Sequence, residues 1–116
     1  MKILHRYTRE VILEVEGDSL VGANLHGANL RGANLCGANL FGVNLDFSCM
    51  PLWCGDLKAR YDKKQIVQQL YHVLSHVETL GDEDLNNILL TEGAVNLANT
   101  FHRVEECGRL EPKNEK

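Results

Sequence analysis

The sequence has no long apolar run, no secretory signal at its start and no excess of basic charge. A membrane-spanning helix needs about 20 consecutive apolar residues, so the first absence argues against a membrane span. Without a signal segment we expect a cytoplasmic protein. Twelve basic residues are scattered among sixteen acidic ones, giving a net charge of −4 and no basic stripe of the kind that binds nucleic acid. We therefore expect neither a membrane nor a nucleic acid as partner.

The sequence also lacks the motifs that mark common enzymes. The sequence lacks the glycine pattern of a nucleophile elbow, the turn that places a Ser or Cys beside a base. The glycines recur every five residues and do not form a phosphate-binding loop. We therefore predict that the protein is not an enzyme and has no catalytic residues.

Four cysteines are present, and nothing in the sequence indicates an oxidising compartment, so we interpret them as thiols. Thiolate and imidazole are good tetrahedral zinc ligands. The candidate zinc set is Cys49, Cys54, His102 and Cys107, which form two pairs with equal spacing. The alternative is that these cysteines pack as small apolar groups beside a histidine bonded to backbone. We expect no cofactor apart from this candidate zinc.

One five-residue unit recurs six times between residues 18 and 47. A five-residue period matches neither the 3.6 of a helix nor the 2.0 of a flat strand, so its leucines would not share one face of either element. A chain that turns a corner every five residues buries all of them. The leucines are Leu20, Leu25, Leu30, Leu35, Leu40 and Leu45.

This pattern resembles the pentapeptide-repeat family, in which the central Leu and the small residue two positions earlier point into a square coil. The resemblance implies a mainly β fold with an α appendage, in which residues 18–47 form a right-handed quadrilateral β-helix. We call these residues the repeat segment. Six units would make about one and a half coils, rising roughly 5 Å per coil at the spacing of paired strands. The interior would hold the six leucines with Ala23, Ala28, Ala33, Ala38 and Val43.

The residue after each Leu should then face solvent or a partner. The candidates for partner binding are Val21, His26, Arg31 and Phe41, with Cys36 and Asp46 at the equivalent positions of the other repeats. Glycine at the fifth position allows backbone angles that a β-carbon would penalise.

The flanks predict caps for the open ends of the coil. We divide the chain into an N-terminal strand and cap (1–17), the repeat segment (18–47), a connector (48–61), a helical region (62–110) and a disordered tail (111–116). Alternating apolar residues in 9–16 predict one or two strands.

Two helices are predicted after the connector. Asp62, with Gln65 three residues later, is a capping-box start. An apolar face of the first helix follows: Ile66, Leu70, Val73, Leu74 and Val77. Gly81 would end this helix and Asp82 would cap the second, whose apolar face is interrupted near Gly93. We expect the two to pair as a helical hairpin.

The segments 2–7, 51–55 and 99–108 also resemble short pentapeptide-repeat proteins encoded by phages and prophages. This resemblance favours a phage origin and, with it, the host cytoplasm. The rigid repeat surface without catalytic residues predicts a non-enzymatic protein that binds and modulates a host macromolecule, most simply a host protein. We also expect a homo-oligomer, since the open end of the coil or the helical hairpin would bury apolar surface against a second copy.

Three alternatives stay open. A DNA mimic that inhibits a topoisomerase needs a long anionic rod, whereas the residues before the repeat leucines from Leu25 onward are neutral asparagines. The second alternative is a zinc-stabilised structural or regulatory module. The third is a sponge for a nucleotide signal acting against host defence, which would predict a pocket between subunits or beside the helices.

Overall fold

The computed structural model describes residues 2–5, 8–15, 17–50, 52 and 57–113. The chain divides into two compact units, Met1–Asp62 and Lys63–Lys116, which we call the repeat unit and the helical unit. The repeat unit contains strands β1 (Lys2–Leu4) and β2 (Val11–Glu14). The helical unit contains α1 (Lys63–Leu80), α2 (Glu83–Leu89), α3 (Glu92–Ala98) and α4 (Val104–Cys107).

The two strands form an antiparallel hairpin before the repeats. Ile3 lies opposite Leu13, and a register shift follows between Ile3 and Leu4. The hairpin is joined to the repeat segment because the Asn34 N–H donates to the Leu4 carbonyl at 3.0 Å. Since Ile3 is also buried among the repeat leucines, the hairpin is part of the same core.

Each repeat contains the same backbone turn. The Leu carbonyl accepts a hydrogen bond from the N–H three residues later, as from Ala28 to Leu25 at 2.9 Å. The intervening glycines have φ between +71° and +75°, and a positive φ at this place is the signature of a type II turn. The asparagine amides bond locally, as predicted: Asn24 Oδ1 accepts from the His26 N–H at 3.1 Å. Four further asparagines repeat this bond.

The backbone of the repeat unit returns beside itself after twenty or twenty-one residues. Parallel bridges join Asn24 to Asn44 and Asn29 to Cys49. A third bridge joins Asn39 to Arg60. Since Cys49 and Arg60 both lie beyond Phe47, the pairing continues into the segment that we predicted as a connector. Twenty residues correspond to four repeats, so each repeat lies beside the one four units further on.

The centre of the repeat unit is a row of leucines. All six repeat leucines are buried, with exposures of 0–7%. Ala33 and Val43 are buried beside them, and Ala23, Ala28 and Ala38 are partly buried against the same cluster. Burying a leucine contributes about 1.5–3 kcal/mol relative to exposing it, so this row is the main stabilising feature of the unit.

The predicted apolar face of α1 is confirmed in part, because Leu74 and Val77 are buried and Leu70 packs against the same core. Ile66 and Val73 are 54% and 50% exposed, whereas Val67 and Tyr71 are buried with Leu74 and Val77. The Tyr71 ring packs on Phe101 with centroids 4.8 Å apart, and its hydroxyl donates to the Gly108 carbonyl at 2.6 Å. These contacts come from distant parts of the chain, so the helical period alone did not indicate them.

The second predicted helix is three short helices. Asp82 caps α2 as predicted, accepting from the Leu85 N–H at 2.9 Å. Helix α2 ends at Leu89. The Thr91 hydroxyl accepts from the Ala94 N–H at 3.2 Å and so caps α3, which begins at Glu92, one residue before Gly93. Because α1 contacts both α2 and α3, the arrangement differs from a simple two-helix hairpin.

The segment after α3 is fixed by a buried amide. Asn99 Oδ1 accepts from the Leu110 N–H at 2.8 Å, and its Nδ2 donates to the Leu110 carbonyl at 3.0 Å. The Lys113 N–H donates to the Leu90 carbonyl at 2.9 Å, so the described start of the tail is hydrogen-bonded. Residues 114–116 of the predicted disordered tail lie outside the described residues.

Within the described part of the chain, none of the helices combines the length and apolar character that crossing a bilayer requires.

We predict that Gly32→Ala destabilises the protein more than Gly37→Ala. The two glycines have φ of +75° and +74°, so an alanine at either costs about 1–2 kcal/mol in backbone energy. A β-carbon at Gly32 would also lie 2.6 Å from Nε2 of His5, whereas nothing lies within 4 Å of one at Gly37. Chemical denaturation measures both free energies of unfolding.

The control for this comparison is the His5→Ala background, which removes the imidazole. There the two glycine substitutions should cost the same free energy. A larger cost at Gly32 that persists without the imidazole would contradict the steric explanation.

We predict that Tyr71→Phe changes how stability depends on pH. Burial raises the pKa of Tyr71 above its ordinary value of 10.0, and the neighbouring Cys107 and Glu78 add to the rise. As pH rises above 10.0, the unfolded state loses the phenolic proton before the folded state does. The free energy of unfolding therefore falls as the pH rises from 10.0 to the folded-state pKa. At neutral pH the variant lacks the hydrogen bond to Gly108, which lowers its free energy of unfolding by about 1 kcal/mol.

Above pH 10.0 the free energy of unfolding of Tyr71→Phe should fall less steeply than that of the wild type. Urea titrations at neutral and alkaline pH measure this slope. Equal slopes in the two proteins would show that Tyr71 does not carry the effect.

Candidate interaction surface

Exposed apolar side chains lie on neighbouring strands of the repeat unit. Val21 is 52% exposed and Phe41 is 43% exposed. Their backbones are adjacent because the Gly22 N–H donates to the Phe41 carbonyl at 2.9 Å. The guanidinium carbon of Arg60 lies 5.7 Å from the centroid of the Phe41 ring, a cation–π distance.

A second exposed aromatic contact lies one repeat further on. The rings of His26 and Phe47 have centroids 5.0 Å apart and are tilted by 57°. The backbones of these two repeats are joined by a bond from the Gly27 N–H to the Asp46 carbonyl at 2.8 Å. We use the name aromatic patch for the residues of these two contacts on successive repeats, which are Val21, Phe41 and Arg60 in the first and His26 and Phe47 in the second.

Phe47 occupies an unfavourable backbone conformation. It stands at the fifth position of the last repeat, where the five preceding repeats all have glycine. Its φ is +61°, in the left-handed region, and its side chain is 68% exposed. A residue with a β-carbon pays about 1–2 kcal/mol in this region. Residues held in such conformations cluster at functional sites.

Three of the four residues predicted to bind a partner therefore lie in the aromatic patch: Val21, His26 and Phe41. Arg31, the fourth, is exposed in the next repeat. Sequence reasoning missed Phe47 and Arg60. The break in the glycine series at Phe47 was the signal that could have identified it, whereas Arg60 lies outside the repeats and is placed by its pairing with Asn39.

The predicted zinc set stays a prediction, because its members are divided between the two units and one of them lies outside the described residues. Cys49 is exposed in the repeat unit, and His102 and Cys107 are exposed in the helical unit. Cys54 lies outside the described residues. The part of the chain that the structure describes contains no group of three or more side chains placed to hold a metal ion.

The helical unit also has an open groove of about 330 Å³. Val67 and Phe101 form its apolar part, and Lys63, Lys64, Thr100 and His102 supply polar groups. The volume is at the lower end of small-molecule sites, which span roughly 300–1,000 Å³.

The buried leucine row and the pairing every four repeats define a repeat protein whose exposed side chains sit on a regular backbone. Residues 19–51 match the family model described as Pentapeptide repeats (8 copies). Residues 19–51 therefore contain pentapeptide repeats, as the sequence predicts. Such repeats imply a β-helix-like solenoid, and here helices follow it.

Proteins with these repeats are generally interaction or structural modules without enzymatic activity. A comparison with curated proteins and a comparison with solved structures each find no match.

Proposed function

We propose that the protein is a non-enzymatic binding module that contacts a protein partner through the aromatic patch. Aromatic residues and arginine are enriched at the energetic centres of protein interfaces, and the patch combines two phenylalanines with His26 and Arg60. The hydrogen-bonded turns beneath them fix the backbone, so little conformational entropy is lost when a partner binds.

The observation that carries the proposal is the exposed ring of Phe47 in a glycine conformation. The backbone cost is about 1–2 kcal/mol. The contact with His26 returns about 0.5–1.5 kcal/mol, and less when both rings are exposed. The ring is 68% exposed, so most of its surface stays open to a partner.

On the resemblance to phage-type proteins, we assign the partner to the host cell cytoplasm and the role to modulation of a host protein. We also propose that the solenoid is right-handed and four-sided, since pairing between residues four repeats apart fits one repeat on each side of a square coil.

A DNA mimic is less well supported than a protein-binding module. The asparagines along the repeats carry no charge, and each amide oxygen already accepts a backbone N–H. They therefore do not reproduce a line of phosphates.

We predict that Phe47→Gly separates folding from binding. The free energy of unfolding should stay equal or rise by up to about 1 kcal/mol, because the strain is relieved while the His26 contact is lost. Recovery of specific partners from host lysate, quantified by mass spectrometry, should fall about thirtyfold for a side chain worth about 2 kcal/mol.

The matched control is Leu52→Ala, which removes a side chain that is 95% exposed in the same unit but outside the patch. Its partner recovery should equal that of the wild type. Undiminished recovery with Phe47→Gly, or no protein recovered reproducibly by the wild type, would contradict the proposal.

A second candidate function is a sponge for a nucleotide signal, favoured by the groove beside α1. Lys63, Lys64 and His102 could face the phosphates of a nucleotide while Val67 and Phe101 face its base. We expect calorimetric titration with a panel of cyclic dinucleotides to show binding that Lys64→Glu weakens at least tenfold. No heat with any member of the panel would rule this candidate out.

A further inference from the structure

The guanidinium of Arg60 is placed by the ring of Phe41. Its central carbon lies 5.7 Å from the ring centroid, and Arg60 is exposed. The Arg60 backbone is fixed as well, because its N–H donates to the Ala38 carbonyl at 2.7 Å and its carbonyl accepts from the Leu40 N–H at 2.8 Å. An arginine held in this way loses little conformational entropy when a partner binds its N–H groups.

These N–H groups are open to an acidic partner. Among the described residues, no carboxylate forms an ion pair with Arg60. Asp62, two residues further on, accepts the Gly42 N–H at 2.8 Å through Oδ2. A guanidinium carries five N–H donors in a planar fork, and the contact with the Phe41 ring supplies none of them with an oxygen acceptor.

The aromatic patch is cationic although the chain as a whole carries a net charge of −4. None of its five residues is acidic, and Arg31 is exposed in the next repeat. Asp46 and Asp62, the acidic residues within two positions of the patch, are both partly buried. Since opposite charges meet across protein interfaces, the patch favours an acidic partner surface.

One short segment of a partner is long enough to meet both contacts of the patch. Val21 and His26 are five residues apart, so their Cα atoms are separated by at most about 18 Å. An extended segment of about six residues spans that distance. It would present an acidic side chain to Arg60 and an apolar side chain to the ring of Phe47, which is 68% exposed.

We propose that the aromatic patch binds an acidic segment of its protein partner, in which an Asp or Glu carboxylate pairs with Arg60 and an apolar side chain packs on Phe47. A carboxylate matches the guanidinium fork with two parallel hydrogen bonds. Since the same patch is used, this binding rests on the proposed function. A single-stranded nucleic acid also combines anionic groups with stacking rings, but the acidic chain without a basic stripe favours a protein segment.

Selection of random peptides against the immobilised full chain tests this chemistry. The wild type should enrich peptides that combine an acidic residue with an apolar one. Fluorescence anisotropy of labelled synthetic copies then gives their dissociation constants. Replacing the acidic residue by alanine should weaken binding about tenfold or more. Arg60→Gln should weaken it as much and Arg60→Lys less, because lysine keeps the charge without the fork.

Charge exchange shows whether Arg60 itself pairs with the acidic residue. A peptide with lysine in place of that residue should bind Arg60→Glu about tenfold or more tightly than it binds the wild type. Arg31→Glu is the matched control, because it makes the same charge change at an exposed residue outside the patch. It should bind the original peptide like the wild type. Chemical denaturation checks that each variant is folded.

The outcomes separate the acidic segment from the proposed function. Peptides that lose binding with Phe47→Gly but bind equally well without their acidic residue would overturn the acidic segment and leave the binding module standing. No enriched peptide, or peptides that bind regardless of Phe47 and Arg60, would overturn both. A labelled single-stranded oligonucleotide that binds more tightly than the peptides, and is lost with Arg60→Glu, would replace the protein segment by a nucleic acid.

Discussion

The fold of the repeat unit depends on burying one leucine in every five residues. A leucine at that interval points inward only when the backbone turns between it and the next, and the turn requires a positive φ two residues after the leucine. Glycine supplies this angle at little cost in five repeats. The pairing of strands four repeats apart and the outward position of the residue after each leucine both follow from that turn.

The sequence predicted the repeat unit well because its determinants are local. The turn, the asparagine side-chain bond and the leucine period each fit within about five residues. The helical unit was predicted less completely, since periodicity identified α1 but only part of the face it buries. That face is set by Tyr71, which contacts Phe101 and Gly108 some thirty residues later. Likewise, the Thr91 cap ends one helix and starts another inside a continuous apolar pattern.

The same distinction holds for the candidate interaction surface. Val21, His26 and Phe41 could be predicted because their position within a repeat sets their direction. Arg60 could not, because its place over the Phe41 ring comes from a backbone pairing outside the repeats. Phe47 could have been predicted, since the repeat pattern itself shows where glycine is expected. A departure from a regular repeat is informative because the neighbouring repeats show what the fold alone requires.

The spacing of the backbone pairs also bears on how the chain acquires its structure. Asn24 and Asn44 are separated by twenty residues, so the parallel bridge between them forms only when a loop of that length has closed. Closing the first loop costs conformational entropy and forms few hydrogen bonds, whereas the next bridge, from Asn29 to Cys49, extends an existing ladder. We expect the first closure to be the nucleation event. During synthesis on a ribosome, the early repeats would then emerge unpaired and wait for the later ones.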